Sequence, residues 1–304
     1  MRTEQSPAAV ERIRYRDRES GEIREERVFA EGSLRRLYGQ GWERGLTDRV
    51  LTHPAVSAAY GLWQSAPWTK RKIASFAQSL GIDTSEAELP VEDYPSLNAF
   101  FARRLAAGAR PIDPDPARLA SPCDGRLLAY PRLGGDRLSI KGSQVSLPVL
   151  LGSEQTARAY RGGDVLVFRL APADYHRFHF PDAGTASPAK RLGRWLHSVH
   201  PIALAGGAPA FENLRYVSTL ASERFGEILL VEVGALLVGR VAQDYAPGPV
   251  TRGQEKGYFE FGGSTVVLVT PPGAAAIDRD LCDATREGLE TFVKMGTGIA
   301  SATT

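Results

Sequence analysis

From Leu119 onward the chain is written in short apolar runs, at 126–130, 136–140, 165–170, 216–220, 228–237 and 258–270, with Gly and Pro between them. Runs of this length, punctuated in this way, predict strands of a sandwich or open barrel. A short helix is expected at 147–151. A closing helix is expected between Asp280 and Lys294, where Leu281, Arg286, Leu289, Phe292 and Val293 share a helical spacing.

One run is irregular. In FEFGGSTVVLVT, Phe259 and Phe261 should share a strand face, and Thr265, Val267 and Val269 continue an alternation beyond the glycines. Gly inside a strand pattern marks a bulge or a close approach by another group. One reading is a β-bulge with no chemistry. The other is that Ser264 attacks the carbonyl of Gly263, which has no side chain to block the approach and tolerates unusual backbone angles.

The first 108 residues have a different character. Residues 1 to about 32 mix Arg and Glu densely and read as an extended arm with a hairpin near Ser20–Gly21. Helices follow. Val56, Ala59, Tyr60 and Trp63 form one stripe behind Pro54, and Ile73, Phe76, Ala77 and Leu80 form another that stops at Gly81. A third helix is expected from an N-cap at Ser96, through Leu97, Phe100, Phe101 and Leu105, to near Gly108. Trp42, Trp63 and Trp68 lie near Lys70, Arg71 and Lys72, a pairing of aromatics with cations that suits a membrane interface. The plainer reading is that these helices pack on the main domain. Pro111, Pro114 and Pro116 mark the linker, so we divide the chain into 1–108, an arm with a helical membrane-association region, and 109–304, a β-rich catalytic domain. The fold class expected is α+β, a β-rich core preceded by amphipathic helices.

At 304 residues, 43% apolar and 24% charged, the composition suits a globular protein with a sizeable core. A formal charge of +2 argues for no nucleic-acid partner. Cys123 and Cys282 are far apart, which fits a reducing compartment and excludes a disulfide scaffold or a cysteine-rich zinc site. The first twenty residues do not read as a secretory signal, and no apolar run of about 18 residues predicts a membrane span. A membrane would be met at its cytoplasmic surface.

Four of the five histidines fall in two H-x-x-H pairs, His176/His179 and His197/His200. On a helix such a pair could hold a metal. Here DYHRFHFP lies in β-rich sequence, where positions three apart point to opposite faces, so no metal site is expected. Acid–base work is the better use, because imidazole can take and return a proton near neutrality. Asp124 sits in the turn SPCDGR, where an Asp ordinarily caps its own backbone. Asp, His and Ser brought together would instead supply an orienting carboxylate, a base and a nucleophile.

In order, the segments LNAFFARRLAAGARPID, SPCDGR, APADYHRFHFPDAG, LHSVHPIAL, ILLVEVGALLVGRV and GQEKGYFEFGGSTVVL give the chain its strongest likeness. It resembles phosphatidylserine decarboxylase, a pyruvoyl-dependent enzyme made as a self-cleaving proenzyme, in the branch with a GGST motif. Cys123, Arg252 and His200 depart from the family pattern, and none belongs to the expected processing triad. The resemblance implies that Asp124, His179 and Ser264 carry out self-cleavage between Gly263 and Ser264. It implies that Ser264 becomes a covalent pyruvoyl cofactor and that His176 serves the later decarboxylation as proton donor or substrate contact. His197 and His200 receive no role.

The activity implied is conversion of phosphatidylserine to phosphatidylethanolamine and carbon dioxide through a Schiff base. The partners implied are the lipid, a membrane surface and the two cleavage chains as a heterodimer; a homo-oligomer is left open. The place implied is the cytoplasmic face of the cell membrane, as a peripheral protein. Three rivals stand beside this reading. One is a pyruvoyl-dependent decarboxylase of another serine lipid or amino acid. A second is a non-catalytic membrane-binding β-domain, and the third is a metal-dependent hydrolase using both histidine pairs.

Overall fold

The computed structural model describes residues 13–26, 52–135, 137–140, 143–200, 203–204, 209–236, 240–262 and 264–303. Gly263 and Trp42 lie outside the described residues. Among those described, eleven strands form one sheet. Its path runs Gly248–Val250, Gly184–Ala186, Arg215–Ser222, Gly226–Val233, Ser264–Val269, Val165–Leu170, Gly125–Tyr130, Glu290–Val293, Arg14–Asp17, Ile23–Glu25, and Lys190–Leu192 also pairs with Arg215–Ser222. Neighbours are antiparallel except Arg14–Asp17 and Glu290–Val293, which run parallel.

The Ser264–Val269 strand is central, and all its residues are buried. This explains its composition. A strand covered on both faces needs a continuous apolar run rather than an apolar–polar alternation. Its register is set on both sides, by Val233↔Thr265 through Leu229↔Val269 and by Ser264↔Leu170 through Val269↔Val165.

A second sheet holds Val241–Gln243, Glu255–Phe259 and Arg177–His179. Gly257 is required here, because a Cβ would lie 2.0 Å from the Ala242 carbonyl oxygen and 2.7 Å from the Phe178 ring. Lys256 ties this sheet to the large one: its Nζ donates to Glu232 Oε2 at 2.9 Å and to Gln243 Oε1 at 2.6 Å, with both charged side chains fully buried.

The run expected as one strand at 258–270 is thus two strands in two sheets. Phe259 packs in the main core against Phe178, ring centroids 5.0 Å apart. Phe261 does not share its face. It joins a second cluster with Ile73, Phe76, Leu80, Leu97, Phe100 and Phe101, and its N–H donates to Asn98 Oδ1 at 2.9 Å. Gly262 makes the change of direction, with a φ of +138° that side-chain-bearing residues rarely adopt.

The hairpin near Ser20 forms between Arg14–Asp17 and Ile23–Glu25 and extends the large sheet. The helices Pro54–Gln64, Ile73–Leu80 and Leu147–Leu151 match their expected positions, and Gly81 ends the second in the left-handed conformation. The third helix covers only Leu97–Phe101, capped by Ser96 Oγ, and does not reach Gly108. Beyond it the Arg177 guanidinium takes up the Ala102 and Arg103 carbonyls, and Leu105 bridges to Ala87 instead. The expected closing helix is likewise shorter. Arg279–Arg286 is helical, Gly288 turns at φ +75°, and Glu290–Val293 returns as a sheet strand.

The stripe on Pro54–Gln64 is divided: Tyr60 packs on the second cluster, its ring centroid 5.8 Å from that of Phe261, while Ala59 and Trp63 are exposed. Ser57, Gly61 and Gln64 are buried, whereas Leu62 is 75% and Trp63 45% exposed. Trp68, in the following 3-10 turn Pro67–Lys72, is 54% exposed, and Lys72 Nζ lies 4.1 Å from the Trp63 ring centroid.

Candidate active site

The site forms where the two sheets meet. Ser264 begins the central strand opposite Leu170 and is fully buried. The chain after Leu170 makes a tight turn. Asp174 N–H donates to the Ala171 carbonyl at 2.9 Å, while Asp174 Oδ2 accepts from Ala171 N–H at 2.6 Å and from Arg126. The turn delivers His176, whose own carbonyl accepts from Phe259 N–H at 2.9 Å.

His176 is the imidazole that faces the serine. Its Nδ1 lies 3.4 Å from Ser264 Oγ, and its Nε2 lies 3.0 Å from the Ala171 carbonyl oxygen. A carbonyl can only accept, so Nε2 carries the hydrogen and Nδ1 is left as an acceptor toward the hydroxyl. The Phe101 ring stacks on the imidazole. Burial, with the nearby Arg103 cation, lowers the His176 pKa to about 3, so the ring is neutral at physiological pH.

His179 lies at the end of the Arg177–His179 strand, 6% exposed, paired with Glu255. Its N–H donates to the Pro122 carbonyl at 2.7 Å, which fastens it to the turn carrying Asp124. The Nδ1 atom is buried without a hydrogen-bond partner, and burial lowers the pKa to about 4. Asp124 is also buried. Its carboxylate accepts from Arg110 Nε at 2.9 Å and Nη2 at 2.7 Å, and from Met295 N–H at 2.8 Å.

Of the four expected side chains, Ser264 and His176 are in contact; Asp124 is held by Arg110 and the Met295 backbone, and His179 is tied through its N–H to Pro122, two residues before Asp124. His197 belongs elsewhere: its backbone is pinned by Asn213, whose Oδ1 accepts at 2.8 Å and Nδ2 donates at 2.7 Å. Among the described residues, no group of three or more His, Cys, Asp or Glu side chains converges as for a metal ion. Sequence reasoning passed over Phe101, Arg103 and Arg110. All three stand in the FFARRLAAGARPID stretch, whose three arginines and aromatic pair were the available signal.

A family model described as phosphatidylserine decarboxylase matches residues 97–301, which include every residue of this site. The chain belongs to the phosphatidylserine decarboxylase family. It is 40% identical over 289 residues to a phosphatidylserine decarboxylase proenzyme of Fusobacterium nucleatum, covering 94% of this chain and 96% of that one. A proenzyme of the same name from Desulfitobacterium hafniense is 41% identical, with 93% and 96% covered. One from Chlamydia pneumoniae is 39% identical, with 94% and 96% covered.

In this member of the phosphatidylserine decarboxylase family, a cleft of about 860 Å³ adjoins the site. Its walls include Tyr15 and Arg24 of the hairpin, Ile82, Arg103, Asp124 and Asp174. The turn from Ala171 to Tyr175 contributes to the cleft wall, and the next residue is the buried His176.

Proposed function

We propose that this chain is a self-cleaving proenzyme that converts phosphatidylserine to phosphatidylethanolamine and carbon dioxide at a membrane surface. The observation that carries the reading is the sealed contact between Ser264 Oγ and His176 Nδ1, directly after the glycines, in a chain of this family. The hydroxyl gives its proton to imidazole, its oxygen attacks the Gly263 carbonyl carbon, and the imidazolium passes that proton to the Ser264 nitrogen as the peptide C–N bond breaks. The amide becomes an ester. Loss of the Ser264 α-proton then expels the chain ending at Gly263 as a carboxylate, and hydrolysis of the resulting dehydroalanine releases ammonia. Residues 1–263 and 264–304 remain together as a heterodimer, with a pyruvoyl group at 264.

The site suits that group. Ser264 is walled off from solvent, so a ketone formed there is screened from bulk water, and a neutral histidine faces it. The pyruvoyl group supplies an electron sink for the carbanion left when carbon dioxide departs. This chain's own part is to exclude water and to relay a proton at His176: its acceptor Nδ1 would take one from the substrate's ammonium group and pass it to the carbon that lost its carboxylate.

A second reading of the processing step assigns the base to His179. Its buried Nδ1 without a partner, and its tie to the Asp124 turn, support that assignment. Intact masses under denaturing conditions test both. The parent chain is expected as two pieces divided between 263 and 264, the smaller lacking a free amine, and S264A as one. If H176Q slows cleavage by about 10²- to 10⁴-fold and H179Q does not, His176 is the base; the reverse assigns His179. A single unmodified parent chain would remove the proposal.

The exposed Leu62, Trp63 and Trp68 beside Lys70, Arg71 and Lys72 support peripheral attachment at the cytoplasmic face of the cell membrane. Among the described residues, no helix is long and apolar enough to cross a membrane.

A further inference from the structure

A charged group withdrawn from water is tolerated when an opposite charge or a full set of hydrogen bonds replaces the lost hydration. The cleft's arginines meet this rule with one exception. Arg24 pairs with Asp17, Arg110 with Asp124, and Arg126 with Asp174. Arg103 is only 4% exposed, yet among the described residues it has no carboxylate within ion-pair distance. Its hydrogen bonds are three long ones to backbone carbonyls, Phe100 at 3.5 Å, Ala173 at 3.3 Å and Asp174 at 3.4 Å, and its guanidinium carbon lies 5.0 Å from the Phe100 ring centroid, which supplies no anion. Its Nε is buried without a partner.

The position gives this vacancy a use. Arg103 lines the cleft, and it sits two residues after Phe101, whose ring covers His176. A guanidinium offers a planar fork of donors that matches a phosphate better than a point charge does. In the substrate of the proposed reaction, a short run of bonds separates the reacting amine from a phosphodiester that keeps its negative charge throughout. The departing carboxylate is a poor match for the same residue, because a cation on it would hold the ground state and oppose its loss. We propose that Arg103 receives the phosphodiester of the lipid headgroup and so selects headgroup-linked serine over free amino acids. This inference rests on the pyruvoyl reading above.

The test uses the processed protein and two soluble amines, glycerophosphoethanolamine and ethanolamine, with cyanoborohydride to trap whichever amine condenses at residue 264. Intact mass of the smaller chain reads the adduct. The parent protein should be trapped by glycerophosphoethanolamine at far lower concentration than by ethanolamine. In R103M that preference should fall by about 10- to 100-fold, with part of it recovered in R103K. An unchanged preference in R103M overturns the assignment to Arg103 and leaves the pyruvoyl reading standing. Failure of the parent protein to trap either amine overturns both. Should R103M fail to cleave itself, R103K decides: a preference equal to the parent's overturns the fork argument, and a lowered one supports it.

Discussion

Phe101 lies flat against His176, with ring centroids 3.9 Å apart and ring planes at 28°. Both rings are fully buried, and the stack joins the N-terminal helices to the imidazole that faces Ser264. F101L keeps much of the volume and should cost less than about 1.5 kcal/mol of stability, but it removes the flat surface that orients the ring. Self-cleavage in F101L should be about 10- to 100-fold slower than in the parent. The time course of intact mass after synthesis measures this, and a parent-like rate would mean that the stack packs without positioning.

Acid should unfold this protein through its buried histidines. His176 and His179 have pKa values lowered by burial to about 3 and about 4, from 6.5. The unfolded chain therefore binds more protons than the folded one below about pH 6.5. Their contribution is complete above that value and is lost as pH falls through 4 and then 3. Glu26 acts in the same direction: burial raises its pKa, but Arg169 and Arg126 outweigh this and hold it at about 2. Urea unfolding of the uncleaved S264A chain at pH 7, 5.5 and 4.5 should show falling stability. Adding H176Q and H179Q should flatten that fall, and an equally steep loss would contradict the account.

The Lys256–Glu232 pair should matter far more when halved than when removed. Both side chains are fully buried, so K256M leaves a carboxylate without its cation and should cost about 3–5 kcal/mol. Replacing both partners with apolar residues of similar volume should return most of that loss. Denaturant midpoints of the single and double variants give the comparison. A cost for K256M near that of an exposed pair, below about 1 kcal/mol, would show that the two charges are not held as the geometry indicates.

The exposed aromatic patch predicts binding to lipid. Exchanging Leu62, Trp63 and Trp68 together for Ala should weaken cosedimentation with anionic vesicles by at least about tenfold, because each large side chain contributes about 1.5–3 kcal/mol when fully buried. Melting temperature should change little, since the buried face of that helix is Ser57, Gly61 and Gln64. Unaltered vesicle binding would move membrane attachment to another surface.

The sequence made much of this legible where local chemistry decides. Ser96 and Gly81 begin and end helices because a side-chain oxygen and a left-handed backbone are local requirements. Residues 165–170 formed a strand with the expected bounds because a short, fully buried apolar run has few alternatives. The separation of Phe259 from Phe261 could not be read, because alternation describes one strand and here the chain changes sheets at Gly262. The divided stripe of Pro54–Gln64, with Tyr60 packed inward and Trp63 exposed, was ambiguous for a related reason: periodicity identifies a face but not what covers it. The resemblance named the four site residues together. The contact between Ser264 and His176, and the clamp of Arg110 on Asp124, depend on side chains converging from distant segments, which spacing alone does not encode.

The central place of Ser264–Val269 in the large sheet changes what stability means once the bond before it is cut. The shorter product would contribute an interior strand, flanked on both sides, so it cannot leave without opening the sheet. Before cleavage, unfolding is an intramolecular event that can reverse. Afterwards, recovery would require two separate polypeptides to find each other and rebuild an interior together, at a rate set by their concentration. The mature protein would persist by the height of its unfolding barrier, as a kinetically trapped assembly rather than one in balance with its unfolded chains.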